Sequence, residues 1–494
     1  MSEQDKPTLL NQILTVLNRI LVFGVGLVLL VTIVLAWPLI TNSGPVKYAD
    51  INEHFKYASI GGESSSGIPY WIWKVLPVMF SDELPGEGYT SLGFIQEPGQ
   101  DLPIGFAKST FLGLDVVTQN CATCHVGSVR NTPTSAPRII TTMPSNTVDL
   151  GAYIKFVSQV PLDKRFNARE MMPEIEALGA NLNSLEKLIY RYIAIPRTKD
   201  ALITQRSRLD FLEHESDYGP GRVDTFTPYK SLRFNFPTDD LDEDELNGIS
   251  DFPSIWQQRP RQGMQLHWDG NNTSVDERNN SAALALVTPT NIDFDSIYRT
   301  RDWLLDLPAP AYPYEIDQDL ASAGKAVYKN NCASCHAFEG AYVGKVVPIE
   351  EIGTDRHRLD SYTYELASNQ YTLFTGISYQ GRDQRFRHFR KTHGYANHPL
   401  DGIWLRAPYL HNGSVPTLRD LLEVPENRPE TFYRGYDVFD PAKVGFVSDV
   451  AEENGKQYFK LDTNLLGNSN EGHLYGTKLS NAEKDALVEY MKQL

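Results

Sequence analysis

Along most of the chain apolar residues recur singly among polar ones, but from Ile20 to Ile40 they run almost without interruption. About 20 consecutive apolar residues suffice to cross a hydrocarbon core of roughly 30 Å, so the run predicts one transmembrane helix. Lys6 and Arg19 precede it, and the Trp37-Pro38-Leu39-Ile40-Thr41-Asn42 stretch at its end lacks a small-x-small cleavage signature. An uncleaved anchor is therefore expected, with residues 1–19 cytoplasmic and everything after Thr41 on the far side. Beyond it, Gly67-Ile68-Pro69-Tyr70-Trp71-Ile72-Trp73 has no regular period, which predicts loops with short helices from Gly61 to Gly99. Helical spacing returns at Leu185, Leu188, Ile189, Tyr192 and Ile193, with an end expected near Pro196 and further helix from Asp200 to Leu212. The run Asp239-Asp240-Leu241-Asp242-Glu243-Asp244-Glu245 predicts an exposed loop, because like charges repel when packed. Past Pro308, Pro310 and Pro313, which stiffen an extended linker, helix is expected from Gln318 to Lys329. A last helix, Asn481 to Gln493, opens on Ser480 and Glu483 at capping-box spacing.

At 494 residues the chain exceeds what one hydrophobic core comfortably holds, so more than one globular unit is expected. The proline-rich linker sets the boundary: 1–19 a cytoplasmic N-terminus, 20–40 the anchor, 41–307 an N-terminal domain and 308–494 a C-terminal domain. Hydrophobic content of 41% and charged content of 22% are those of an ordinary folded protein. A net charge of −16 excludes a nucleic-acid surface, which needs basic patches against phosphate. The same charge attracts a cationic redox partner, although solubility accounts for it equally well.

All four cysteines fall in two segments, Cys121-Ala122-Thr123-Cys124-His125 and Cys332-Ala333-Ser334-Cys335-His336. Two thiols separated by two residues and followed at once by His have the spacing of c-type haem attachment: each thiol forms a thioether and the imidazole reaches the iron. A zinc site needs two further ligands at matching spacing, and neither neighbourhood supplies them. The reading is two covalently bound haem c groups, with His125 and His336 as proximal ligands. The sixth position then decides what each haem does, since a second strong ligand makes an electron-transfer centre and an open position admits oxygen or peroxide. For the second haem, His473 in the Gly-containing loop before the closing helix is the candidate, and His411 competes with it. For the first, no His follows His125 until His214 and the next downstream sulfur is Met143, so its distal site is either open or closed by that Met.

The segment from His267-Trp268-Asp269-Gly270 to Arg278 resembles the Trp-Asp-Gly segment of bacterial dihaem cytochrome c peroxidases, and Leu405 to Leu418 resembles their C-terminal haem domain. The resemblance is closest to the branch of the latex-cleaving dihaem rubber oxygenases, through Gly219-Pro220-Gly221-Arg222-Val223-Asp224 and Gly472-His473. It implies a reactive N-terminal haem that reduces hydrogen peroxide and a C-terminal haem that transfers electrons, with Trp268 as a relay and Arg406 on a haem propionate. The two places where the peroxidases carry a Gln and an acid hold Arg278 and Thr288, which leaves Arg278 at the reactive centre and no acid or base beside it. That departure leaves room for an oxygenase acting with O₂ on an apolar alkene, or for a plain electron carrier. The implied partners are an electron-donor cytochrome or cupredoxin, hydrogen peroxide or O₂, and the inner membrane through one helix. A bound calcium is left open. Together these readings predict a mainly α protein: two cytochrome c-type haem domains with long loops, preceded by one N-terminal transmembrane helix in the bacterial inner membrane, with the haem domains in the periplasm.

Overall fold

The computed structural model describes residues 12–26 and 44–494. Residues 12–26 are helical, and residues 27–40 of the expected anchor lie outside the described residues. Among the described residues no helix is long and apolar enough to cross a membrane. This corrects the expectation of a transmembrane helix over 20–40, and with it the single-pass inner-membrane placement: the described helical residues 12–26 include Gln12, Asn18 and Arg19, and among the described residues no apolar stretch reaches the length that a span requires.

The expectation of a mainly α protein is corrected as well, since the protein is 40% helix and 14% strand. Phe106–Phe111 and Leu114–Gln119 form an antiparallel hairpin. Its turn residues Leu112 and Gly113 both have positive φ, 49° and 76°, so the turn twist matches that of the strands. Gly44–Pro45 and Ile68–Pro69 extend the hairpin to four strands, and the remaining sheets among the described residues are two-stranded. The hairpin was legible only in its β-branched Val and Thr content, because Leu-Gly is an inconspicuous turn pair.

The helix expected to stop near Pro196 runs on. Ser184–Ile189 passes through a π-helical turn at Tyr190–Ala194 into Ile195–Arg206, and Pro196, which lacks the N–H that continues a helical ladder, lies just past that π turn. The extra residue rotates the buried face: Tyr190, Ala194 and Ile195 are buried, whereas Leu188, Tyr192 and Ile193 of the apolar stripe are exposed. The helices at the far end follow the sequence closely. Gln318–Asn331 is capped by Asp317, and Asn481–Met491 has the Ser480–Glu483 capping box.

Three large cores hold these elements. The first is aromatic, with Trp73 stacked on Tyr89 at 4.2 Å and Phe94, Phe106 and Tyr153 around them. The second joins Val129 and Met143 to Trp256, Tyr328, Trp404 and Leu487, and the third joins Ile60, Phe226 and Ala283 to Phe374, Phe386 and Phe389. The proline-rich stretch has neither helix nor strand; Tyr312 packs on the second core and the Pro310 carbonyl accepts a 2.8 Å hydrogen bond from Trp404 Nε1.

The two long C-terminal helices cross so closely that a Cβ on Gly324 would stand 1.8 Å from the Ala486 carbonyl oxygen. Gly324→Val is therefore expected to cost about 3 kcal/mol by overpacking. Thermal unfolding of the holoprotein checks it; a midpoint equal to wild type refutes the close crossing.

Candidate functional site

The helix Gln318–Asn331 delivers Cys332, Cys335 and His336 on its C-terminal side, with Ala333–His336 forming one further turn. His336 Nδ1 lies 2.8 Å from the His398 carbonyl oxygen, so Nδ1 carries the proton and Nε2 keeps its lone pair for a metal. Facing it is His473, its ring centroid 6.3 Å away with the planes at 43°. Two imidazoles that share one metal at about 2 Å per nitrogen need about this separation, so the pair fits a haem iron between them. The position of His473 depends on close backbone contact: Gly472 has φ 75°, and a Cβ there would stand 2.3 Å from the Gly353 carbonyl carbon. His473 itself has φ 48° and donates its backbone N–H to the Ile352 oxygen at 2.8 Å. Burial, with a smaller push from His336 and Arg428, drives the His473 imidazole down to about 3, so it is neutral and able to ligate. His411 is elsewhere, stacked on Tyr395 at 4.0 Å with Nε2 2.9 Å from the tyrosine oxygen.

The first motif follows the hairpin, in a turn over Ala122–His125 against which Gly105 packs with no room for a Cβ. His125 repeats the arrangement of His336: Nδ1 lies 2.9 Å from the Pro253 carbonyl oxygen, leaving Nε2 free. Burial pushes its imidazole down to about 4. Cys121 packs against the third core and Cys124 against the first, and all four cysteines are partly exposed and outside any disulfide. Here the resemblance to the second site ends. Among the described residues no second imidazole stands opposite His125 as His473 stands opposite His336. Met143 is fully buried in the second core, close against Gly127.

Trp268 joins the two motifs. Its indole N–H donates to the Asp251 carbonyl at 2.9 Å, two residues before the Pro253 carbonyl that fixes His125. Its own carbonyl accepts from Ala396 N at 2.8 Å, two residues before the His398 carbonyl that fixes His336. The His398 ring stands edge-on to the indole at 6.5 Å. Asp251 is held in turn by Arg434 at 2.6 Å, and burial still pushes its carboxyl up to about 6 against the pull of Arg434 and Arg222. Arg222 of the Gly219–Asp224 segment is fully buried and donates to Asn468 Oδ1 at 2.6 Å, bracing the loop that leads to His473.

Arginines gather beside this bridge. Arg406 donates to the Pro399 carbonyl at 2.8 Å and to Asp401 Oδ1 at 2.9 Å, while its buried Nε has no partner. Arg261 shares Asp401, and Arg278, on the helix Val275–Ala283, bonds only the neighbouring Asn279 side chain, with no carboxylate partner among the described residues. Three cations against one carboxylate, with an orphaned donor, form an environment suited to haem propionates. Among the described residues no group of three or more His, Cys, Asp or Glu side chains is gathered as a metal site, so calcium has no such cluster.

Residues 394–433 match the family described as RoxA-like, cytochrome c-like. The matched segment contains His398, whose carbonyl fixes His336, together with Arg406 and His411. The match carries the RoxA-like branch of the resemblance and not the peroxidase family, and a cytochrome c-like segment implies covalently bound haem c. The chain is also 37% identical over 228 residues to the uncharacterized protein y4iM of Sinorhizobium fredii, covering 41% of this chain and 50% of that protein. It is 25% identical over 520 residues to the uncharacterized protein y4iJ of the same organism, covering 81% of this chain and 83% of that one. The chain thus spans half the length of y4iM. A RoxA-like cytochrome c segment points to an oxidoreductase or oxygenase.

Sequence reasoning missed the carbonyls of Pro253 and His398, which carry no side-chain signal. It also passed over His267, whose only signal is its place directly before Trp268.

Proposed function

We propose that the protein is a dihaem c-type oxidoreductase in which the haem on Cys121, Cys124 and His125 takes a small oxidant and the haem on Cys332, Cys335 and His336 relays electrons to it. The observation that carries this is the inequality of the two sites: His336 faces His473 across a gap of one metal atom, and His125 faces no comparable ligand among the described residues. Haem iron supplies one-electron storage at a site closed on both faces and a position for O₂ or peroxide at a site closed on one. The protein residues do the rest. The two backbone carbonyls fix the tautomers of the proximal imidazoles, and His473 closes the second site. Trp268 spans the segments that hold both motifs, which suits a relay, and Arg406 offers a donor to a propionate.

Hydrogen peroxide is the leading substrate on the resemblance to the dihaem peroxidases, with the Arg278 cation within electrostatic reach of His125. O₂ with an apolar alkene is the second reading, favoured by the RoxA-like match. Electrons reach the relay from a cytochrome or cupredoxin donor, which the net charge of −16 attracts when the donor is cationic.

The test is turnover by the purified holoprotein. Oxidation of a reduced c-type cytochrome by hydrogen peroxide is expected; cleavage of polyisoprene under O₂ instead selects the oxygenase. If both haems are six-coordinate in every redox state and unreactive towards either oxidant, both enzymatic readings fail and an electron carrier is left.

A further inference from the structure

His267 occupies a position that its surroundings over-determine. It has φ 63°, in the left-handed region that a residue with a side chain seldom adopts. The loop is closed across its base by the Leu266 N–H to the Asn272 oxygen at 2.7 Å, and tied down by Ala396 N to Trp268 O and Arg390 N to Asn271 O, both at 2.8 Å. The His267 carbonyl lies 2.9 Å from His398 Nε2. Strain that so many contacts maintain concentrates at functional sites, and here it aims an imidazole.

The ring is equally constrained. Its Nδ1 lies 2.6 Å from Asn271 Oδ1, which fixes the proton there, and one face stacks on Phe389 at 6.2 Å. Nε2 has no hydrogen-bond partner among the described residues. Phe389 belongs to the third core, against which Cys121 of the first haem motif also packs. Arg278 lies within electrostatic reach of both His125 and His267 and so links the ring to the first motif. The charged groups around the ring are Asp269, Arg358 and Arg278. Burial pushes the imidazole down to about 4 against the pull of Asp269 and the Asn271 bond, with the two arginines adding to the push. The ring is neutral at neutral pH and presents an unprotonated nitrogen.

We propose that His267, through Nε2, is the proton-transfer residue of the first haem site, the base that the places at Arg278 and Thr288 do not supply. This rests on the reading of that site as the one that takes the oxidant. With hydrogen peroxide, Nε2 accepts the proton of the inner oxygen and returns it to the outer oxygen as the O–O bond breaks, releasing water. The remaining oxygen takes two electrons, from the reduced cytochrome by way of the second site, and two protons from solvent to give the second water. Overall, H₂O₂ + 2 e⁻ + 2 H⁺ → 2 H₂O. Asn271 is a positioning residue that holds the tautomer.

The test uses the full-length holoprotein with His267→Phe and His267→Gln, read by rapid mixing with peroxide and, separately, with cyanide. Hydrogen cyanide must give up its proton to bind ferric haem as the anion, so cyanide reports a distal base without any turnover. Peroxide reaction is expected to slow by about 10²-fold or more, and cyanide association by roughly tenfold, in both variants, because Gln keeps a polar group but cannot relay a proton. The absorption of the second haem stays unchanged, which excludes a general folding defect. Cyanide and peroxide rates equal to wild type in both variants overturn the proposal. So does a first haem that is low-spin in wild type and becomes high-spin in His267→Phe, which makes His267 an iron ligand. If wild type does not react with peroxide while cyanide binding still slows in both variants, the substrate reading fails and the role of His267 stands.

Discussion

A His473→Ala variant will convert one of the two haem signals from six-coordinate low-spin to high-spin and leave the other unchanged, as read by absorption and electron paramagnetic resonance. The effect should involve one whole haem, because one imidazole closes one face: the His336 and His473 rings are 6.3 Å apart. The His473 backbone is held through Gly472 and the Ile352 carbonyl, so truncation at Cβ removes the ligand without moving the loop. Added imidazole should restore the low-spin signal. His411→Ala is the control, since that ring is stacked on Tyr395 and its loss should leave both signals as they are. Two unaltered signals in His473→Ala would remove the residue as a ligand and take the inequality of the two sites with it.

Arg434→Ala is expected to be the most destabilising single change near the bridge, by about 3–5 kcal/mol, because it strands a buried carboxylate. Arg434 is 3% exposed and Asp251 7%, and the guanidinium also donates to the Gly413 and Pro220 carbonyls at 2.7 and 3.0 Å. The damage should reach the site, since the Asp251 carbonyl holds the Trp268 indole and Pro253 follows two residues later. The pH dependence has a definite sign. The Asp251 carboxyl is already pushed up to about 6, and loss of Arg434 removes the pull that opposes burial, so its pKa rises further. The variant's deficit relative to wild type is therefore smaller at pH 5, where Asp251 takes up a proton, than at pH 8. Adding Asp251→Asn should recover part of the loss. Thermal midpoints at the two pH values decide it, and a deficit that is independent of pH would show that the carboxylate is not what the arginine neutralises.

How far each feature was legible depends on the range of the interaction that creates it. The helices Gln318–Asn331 and Asn481–Met491 were read from local signals, Asp317 and Ser480 among them, because capping is settled within four residues. The hairpin at 106–119 went unread for want of a conspicuous turn pair, and the apolar stripe through Leu188 and Tyr192 misled because one π turn rotated the buried face. The anchor was read from hydropathy alone, and among the described residues no helix is long and apolar enough to cross a membrane.

Thioether attachment is contiguous chemistry, so Cys121, Cys124, Cys332, Cys335 and the two histidines that follow them stand out as candidates in the linear chain, as does the Gly472-His473 loop. The state of each imidazole is a different kind of fact. The carbonyls that fix His125 and His336 lie 128 and 62 residues away along the chain, and they belong to backbone that any sequence supplies. Only the packed protein could show that both belong to segments hydrogen-bonded to Trp268, that Met143 is buried in the second core, and that His267 is held in a left-handed backbone conformation with its Nδ1 on Asn271. A hydrogen bond requires its two atoms to meet in space, and residue order alone cannot express that meeting.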